Sequence, residues 1–76
     1  MKTLDKIVTN KKVRVIKVNG NNPLRTRLME LGLVKDTVVE IVKVSPLKDP
    51  ITISLRGYEL TLRKTELSLI EVDDSI

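Results

Sequence analysis

The stretch Ile51-Thr52-Ile53-Ser54-Leu55-Arg56-Gly57-Tyr58-Glu59-Leu60-Thr61-Leu62-Arg63 decides the fold class. Ile51, Ile53 and Leu55 alternate with Thr52, Ser54 and Arg56. Leu60 and Leu62 then alternate with Glu59, Thr61 and Arg63. A period of two places one set of side chains on each face of a pleated strand, so each run reads as a strand with one apolar face. Gly57-Tyr58 between them matches a two-residue type II′ turn with glycine first. That turn predicts Arg56 opposite Glu59, Leu55 opposite Leu60 and Ile53 opposite Leu62. Apolar then meets apolar across the hairpin, and a one-residue slip would undo every pairing.

Upstream, Val13–Val18 and Thr37–Val44 are β-branched runs whose alternation slips, at Val15-Ile16 and at Ile41-Val42. Such slips mark bulges, which bend a sheet. Ser45–Pro50 is bracketed by Pro46 and Pro50 and reads as a loop, because proline removes a ladder donor. The helix signal lies between Asn22 as N-cap, Pro23 at the first helical position, and Gly32 as a left-handed stop. Leu24, Leu28 and Leu31 form its apolar stripe at i, i+4 and i+7. Thr3 can cap a single turn over Leu4–Ile7. Lys64–Leu67 reads as a turn, Leu69–Val72 as a short last strand, and Asp73-Asp74-Ser75 as a frayed acidic tail. These elements predict a mainly all-β fold: a small barrel of about five strands, with one short helix inserted after the first strand. It forms one domain over residues 1–76, with a core at about 4–72. Closure of the barrel would remove its exposed edges.

Composition narrows the chemistry. The 76 residues contain no cysteine and no histidine. Disulfides, thiolate and imidazole metal sites, and Ser–His or Cys–His nucleophilic systems are therefore outside the repertoire. The three glycines each have a turn to explain them, so no phosphate-binding loop is present. Acids and bases are interspersed, and no carboxylate cluster signals a raised pKa. The expectation is a non-enzyme with no cofactor, no metal site and no catalytic residue. Glu71, Asp73 and Asp74 read as a solvated tail. No apolar run approaches the ~20 residues of a membrane helix, and the N-terminus lacks a signal-peptide core, which points to the cytoplasm.

The net charge of +4 is ordinary for a small solvated domain. A nucleic-acid-binding barrel is the rival reading, with Arg56, Tyr58 and Arg63 as its patch. Single-strand binders stack bases on aromatic side chains, and Tyr58 is the sole aromatic. Candidate protein-interface residues are Arg25, Arg27 and Met29, which flank the helix stripe, with Leu47 in the proline-bracketed loop and Tyr58 at the hairpin. Leu47 reads as a contact or as a cap on the barrel mouth. Tyr58 reads as an anchor or as a ring lying across its own sheet. Leu28 and Gly32 read as core and helix stop.

Arg27-Leu28-Met29-Glu30-Leu31-Gly32-Leu33, then Pro46 and Asp49-Pro50-Ile51, then Leu60-Thr61-Leu62-Arg63 with Glu66, and finally Ile70-Glu71-Val72, together resemble the ferrous iron transport protein A (FeoA) family. The order and spacing match from about Leu4 to Val72. The resemblance implies an SH3-like barrel and a cytoplasmic accessory role beside a ferrous iron permease that carries a GTPase domain. The same barrel occurs at the C-terminus of metal-dependent transcriptional regulators, the further alternative. Self-association through strand edges remains open as a weak homodimer. The chain departs from the family pattern at Asn10-Lys11, where a glycine turn is usual, and at Lys35-Asp36, which replaces Pro-Gly. Leu67 stands where a small alanine is common, implying a repacked barrel end.

Overall fold

The computed structural model describes residues 2–75. Two bends in two β-branched strands organise it. Strand β2 (Lys12–Val18) pairs with β3 (Val38–Val44), and β3 with β4 (Ile51–Leu55), all antiparallel. The β2 register against the last strand, β6 (Ile70–Asp73), shifts between Val15 and Lys17. The β3 register against β4 shifts between Ile41 and Lys43. Both shifts fall where the apolar alternation slips, and each leaves one extra residue, Ile16 and Val42, without a ladder partner. The sheet curls as a result, and its inner face closes on a core of Val13, Val15, Val39, Ile41, Ile53, Leu55, Ile70 and Val72.

Strand β5 (Tyr58–Leu62) completes the hairpin with β4, in a register different from the expected one. Leu55 pairs with Tyr58, Ile53 with Leu60 and Ile51 with Leu62. The turn is Arg56-Gly57, with φ of 51° and 83°. Positive φ at both central residues is the type I′ geometry that matches strand twist. The expected register was wrong by two residues, and a shift of two preserves the alternation of faces. Apolar partners therefore still meet, and Thr52 and Thr61 bond through their hydroxyls at 3.0 Å.

The full order is β1-β6-β2-β3-β4-β5, where β1 is Lys2–Thr3. This two-residue strand pairs with β6, and a 3-10 turn at Leu4–Lys6 follows it. Thr3 makes no side-chain cap to that turn. The ladder does not close on itself among the described residues: β1 and β5 are its edges. Side chains finish the enclosure. Leu4 from the 3-10 turn, Leu28 and Leu33 from the helical segment, and Leu67 all lie fully buried in the same core. Leu67 is thus a core residue of the barrel.

Helix α1 spans Asn22–Glu30, and its N-cap is Asn21. The Asn21 carboxamide accepts from the Leu24 N–H at 3.4 Å. The expected cap, Asn22, is the first helical residue instead, which moves Pro23 to the second position. At the other end the Leu33 N–H reaches the Leu28 carbonyl at 3.2 Å and the Gly32 N–H reaches that of Met29 at 3.0 Å. With Gly32 at φ 107°, this is a Schellman stop, whose following residue is apolar and buried: Leu33. Lys64–Leu67 forms a single helical turn, α2. The acidic tail is engaged with its surroundings. Asp73 lies in β6, and the Asp74 carboxylate pairs with the Lys2 ammonium at 2.7 Å.

Asn10 and Asp36 have φ of 69° and 72°. They lie in the two turns, Asn10-Lys11 and Lys35-Asp36, where the resemblance implies glycine. Asn and Asp tolerate the left-handed region better than other side chains do, so the backbone shape survives the change.

Candidate functional site

The interface residues predicted from the sequence fall on α1, the β4–β5 hairpin and the β3–β4 loop. On α1, the Arg25 guanidinium donates Nε–H to the Val18 carbonyl at 3.0 Å, which fixes the first helical turn to the end of β2. Arg27 turns toward α2, where its guanidinium meets the Glu66 carboxylate at 2.7 Å. Met29 is partly exposed on the same helix. Tyr58 bridges outward from β5, its hydroxyl donating to the Leu31 carbonyl at the end of α1. The tyrosine therefore ties hairpin to helix, while much of its ring remains at the surface. Arg25, Arg27 and Tyr58 all spend polar groups on holding α1 against the barrel.

Leu47 belongs to the β3–β4 loop. It is 88 % exposed at the tip of the β3–β4 loop, so it does not cap the barrel mouth. That loop is braced. The Lys48 N–H donates to the Ser45 carbonyl at 2.8 Å, and the Asp49 N–H to the Ser45 hydroxyl at 2.9 Å. The Asp49 carboxylate in turn accepts from the Lys64 N–H at 2.9 Å, joining the loop to the start of α2. Beside it lies an open groove of about 430 Å³ whose apolar wall includes Ile7, Val8, Val44 and Ile51, with Lys48 and Lys64 at its margin. Val8 and Val44 were not among the residues singled out from sequence. Their signal was an isolated valine before the polar Thr9–Lys12 stretch, and a valine past the β3 bulge, where inward alternation has ended.

The basic patch proposed for nucleic acid is thinned by internal pairing. The Tyr58 hydroxyl is occupied, and Arg63 faces the Asp49 carboxylate at 3.9 Å. Arg56 remains exposed at the turn and borders a shallow surface hollow with Lys35 and Asp36. Among the described residues, no three His, Cys, Asp or Glu side chains converge as a metal would need. Asp73 is held below the ordinary carboxylate range, first by the Ser75 hydroxyl, then by the Ser75 N–H, with Arg14 assisting. Hydrogen bonding to Lys2 does the same for Asp74. Both are acids kept ionised, unlike a catalytic acid, which needs a raised value. No helix among the described residues is long and apolar enough to cross a membrane.

Comparison with known proteins places this arrangement. The family model described as the FeoA domain matches residues 2–74. The chain is 29 % identical over 70 residues to an Fe(2+) transport protein A/Fe(2+) transporter FeoB fusion protein of Porphyromonas gingivalis. That match covers 92 % of the chain and only 8 % of the fusion protein. The solution structure of the FeoA protein from Chlorobium tepidum superposes with a TM-score of 0.91 at 31 % identity, covering 99 % of this chain and 71 % of that one. The zinc complex of Stenotrophomonas maltophilia FeoA, described as a procaryotic SH3 domain protein, gives 0.85 at 27 % identity, over 96 % and 91 %. IdeR of T. acidophilum shares the fold alone, at 13 % identity and a TM-score of 0.84 over 97 % of this chain and 34 % of that one.

Proposed function

The chain belongs to the FeoA domain family, and on that premise we propose that it is a cytoplasmic accessory protein of ferrous iron uptake, a single module that docks onto the GTPase-bearing part of a ferrous iron permease. The observation that carries this reading is the fusion: in the P. gingivalis protein a segment similar to this chain shares one polypeptide with an Fe(2+) transporter. Covalent linkage raises the effective concentration of one partner at the other, which serves a binding pair. The surface agrees with that role. The chain has neither imidazole nor thiol, and what it offers instead is exposed apolar side chains on braced loops. The reading assigns the protein no turnover and no tightly held metal or nucleotide.

The test is direct binding of the purified chain to the detergent-solubilised transporter, followed by biolayer interferometry. Saturable binding that persists at physiological salt is the expected result. Its absence across salt conditions would remove the reading, and affinity for single-stranded nucleic acid that falls steeply with salt would favour the rival instead.

A further inference from the structure

The groove between the 7–11 loop and the β3–β4 loop is the least explained surface of the molecule. Its wall carries Val8, 69 % exposed, and Val44, 38 % exposed, and the exposed Leu47 directly precedes the lining residue Lys48 in the neighbouring loop. Isolated exposed apolar residues need no explanation, but two that line one concavity, with a third beside its Lys48 in sequence, do. Nor can these side chains readily fold away. The Asn10 N–H donates to the Ile41 carbonyl at 2.7 Å, which ties one loop to β3. The bonds from Ser45 and Asp49 described above fix the other. Leu47 is held out in water by a structured loop, a preorganised arrangement that lowers the ordering cost of binding.

The margin says what kind of chain fits. Among the described residues neither Lys48 nor Lys64 takes part in an ion pair. The one acid in the lining, Asp5, accepts a hydrogen bond from the Thr3 hydroxyl and offsets the charge of one of the two lysines. The groove thus presents an apolar floor with a net positive lining, two ammonium groups against one carboxylate. Its complement is a polypeptide segment with apolar side chains at its centre and carboxylates flanking them.

We propose that this groove, whose lining includes Val8, Val44, Lys48 and Lys64, together with Leu47 next to Lys48 in the loop, is the surface that docks an acidic, apolar-centred segment of the transporter. The proposal rests on the accessory-protein reading above. It places the principal contact on the groove residues and not on the α1 arginines, whose polar groups already serve the fold.

The experiment compares Val8→Ser, Leu47→Ser and Lys48→Glu/Lys64→Glu with the unaltered chain, all as full-length proteins, in binding to the intact solubilised transporter. Lys12→Glu/Lys17→Glu carries the same charge change on β2 and serves as the control. Each serine variant should weaken binding about tenfold, as loss of an apolar anchor does. The groove charge reversal should also slow association by about tenfold, an effect that fades at high salt, while the control changes little. Amide NMR spectra report whether each variant stays folded, which the exposure of these side chains favours. If the unaltered chain binds and the groove variants bind within twofold of it, this inference fails and the accessory reading stands. If the control weakens binding as much as the groove reversal does, the inference also fails. If the unaltered chain does not bind, both fail. Self-association of the chain that Leu47→Ser abolishes, seen by sedimentation velocity, would assign the groove to a second copy and overturn the proposal.

Discussion

Glu66 serves two elements with one carboxylate. Its Oε2 lies 2.7 Å from the Arg27 guanidinium on α1, and its Oε1 accepts the Arg63 backbone N–H at 2.8 Å. The first contact joins α1 to α2, and the second caps the N-terminus of α2. The two partners differ in setting, since the Glu66 side chain is 14 % exposed and that of Arg27 58 %. Glu66→Ala should therefore destabilise the domain by about 1–2 kcal/mol, a cap and a half-buried ion pair together. Arg27→Ala should lose only about 0.2–1 kcal/mol, as solvent-screened pairs do. Urea midpoints of the two variants give the comparison, and equal losses would contradict it.

Asn10 and Asp36 hold the backbone in the left-handed region. Glycine at either position relieves a steric clash but adds freedom to the unfolded chain, so Asn10→Gly and Asp36→Gly should stay within about 0.5 kcal/mol of the unaltered protein. Asp36→Val, with a β-branched side chain at the same φ, should lose about 1–3 kcal/mol. Thermal melts of the set would show the ordering.

The Thr37 hydroxyl is buried without a hydrogen-bond partner among the described residues. An unsatisfied buried polar group costs about 1–3 kcal/mol. Thr37→Val replaces it with a methyl group of similar shape, so the denaturation midpoint should rise. A fall would mean that the hydroxyl is satisfied in solution.

The Lys2–Asp74 pair fastens β1 to β6, and Asp74 ionises below the ordinary carboxylate range because of it. A carboxyl whose folded pKa is depressed contributes stability that is full above its unfolded value. That contribution disappears as pH falls through the folded value. Loosening of β1 is thus expected below about pH 4, with none on going from pH 7 to pH 5. Both side chains are solvated, so 1 M salt should weaken the same contact. Amide shifts of Thr3 and Val72 followed against pH would track it, and Asp74→Asn should remove the acid transition.

The barrel was legible where periodicity alone carries the information. The two bulges were visible as slips in alternation at Val15-Ile16 and Ile41-Val42, because an extra residue exchanges the faces of everything after it. The hairpin register was not, because a shift of two leaves every face unchanged. The turn chemistry that could have decided it pointed elsewhere, since arginine rarely takes positive φ and Arg56 does. Asn21 and Asn22 offer the same cap chemistry one residue apart, so residue type does not choose between them. Leu33 is an apolar residue directly after a helix-stopping glycine, a readable mark of burial that was passed over. The two residues of β1 carry no pattern at all. The groove escaped because sequence shows which residues are apolar, whereas only the folded loops show which apolar residues cannot reach the core.

With β1 beside β6, the polypeptide enters and leaves the barrel at one seam, Lys2 facing Val72. A host chain could therefore receive the whole module at a single point with little rearrangement of its own ends. Rejoining the two ends through a few residues and reopening the chain at Arg56-Gly57 should yield a permuted barrel with the same strand order.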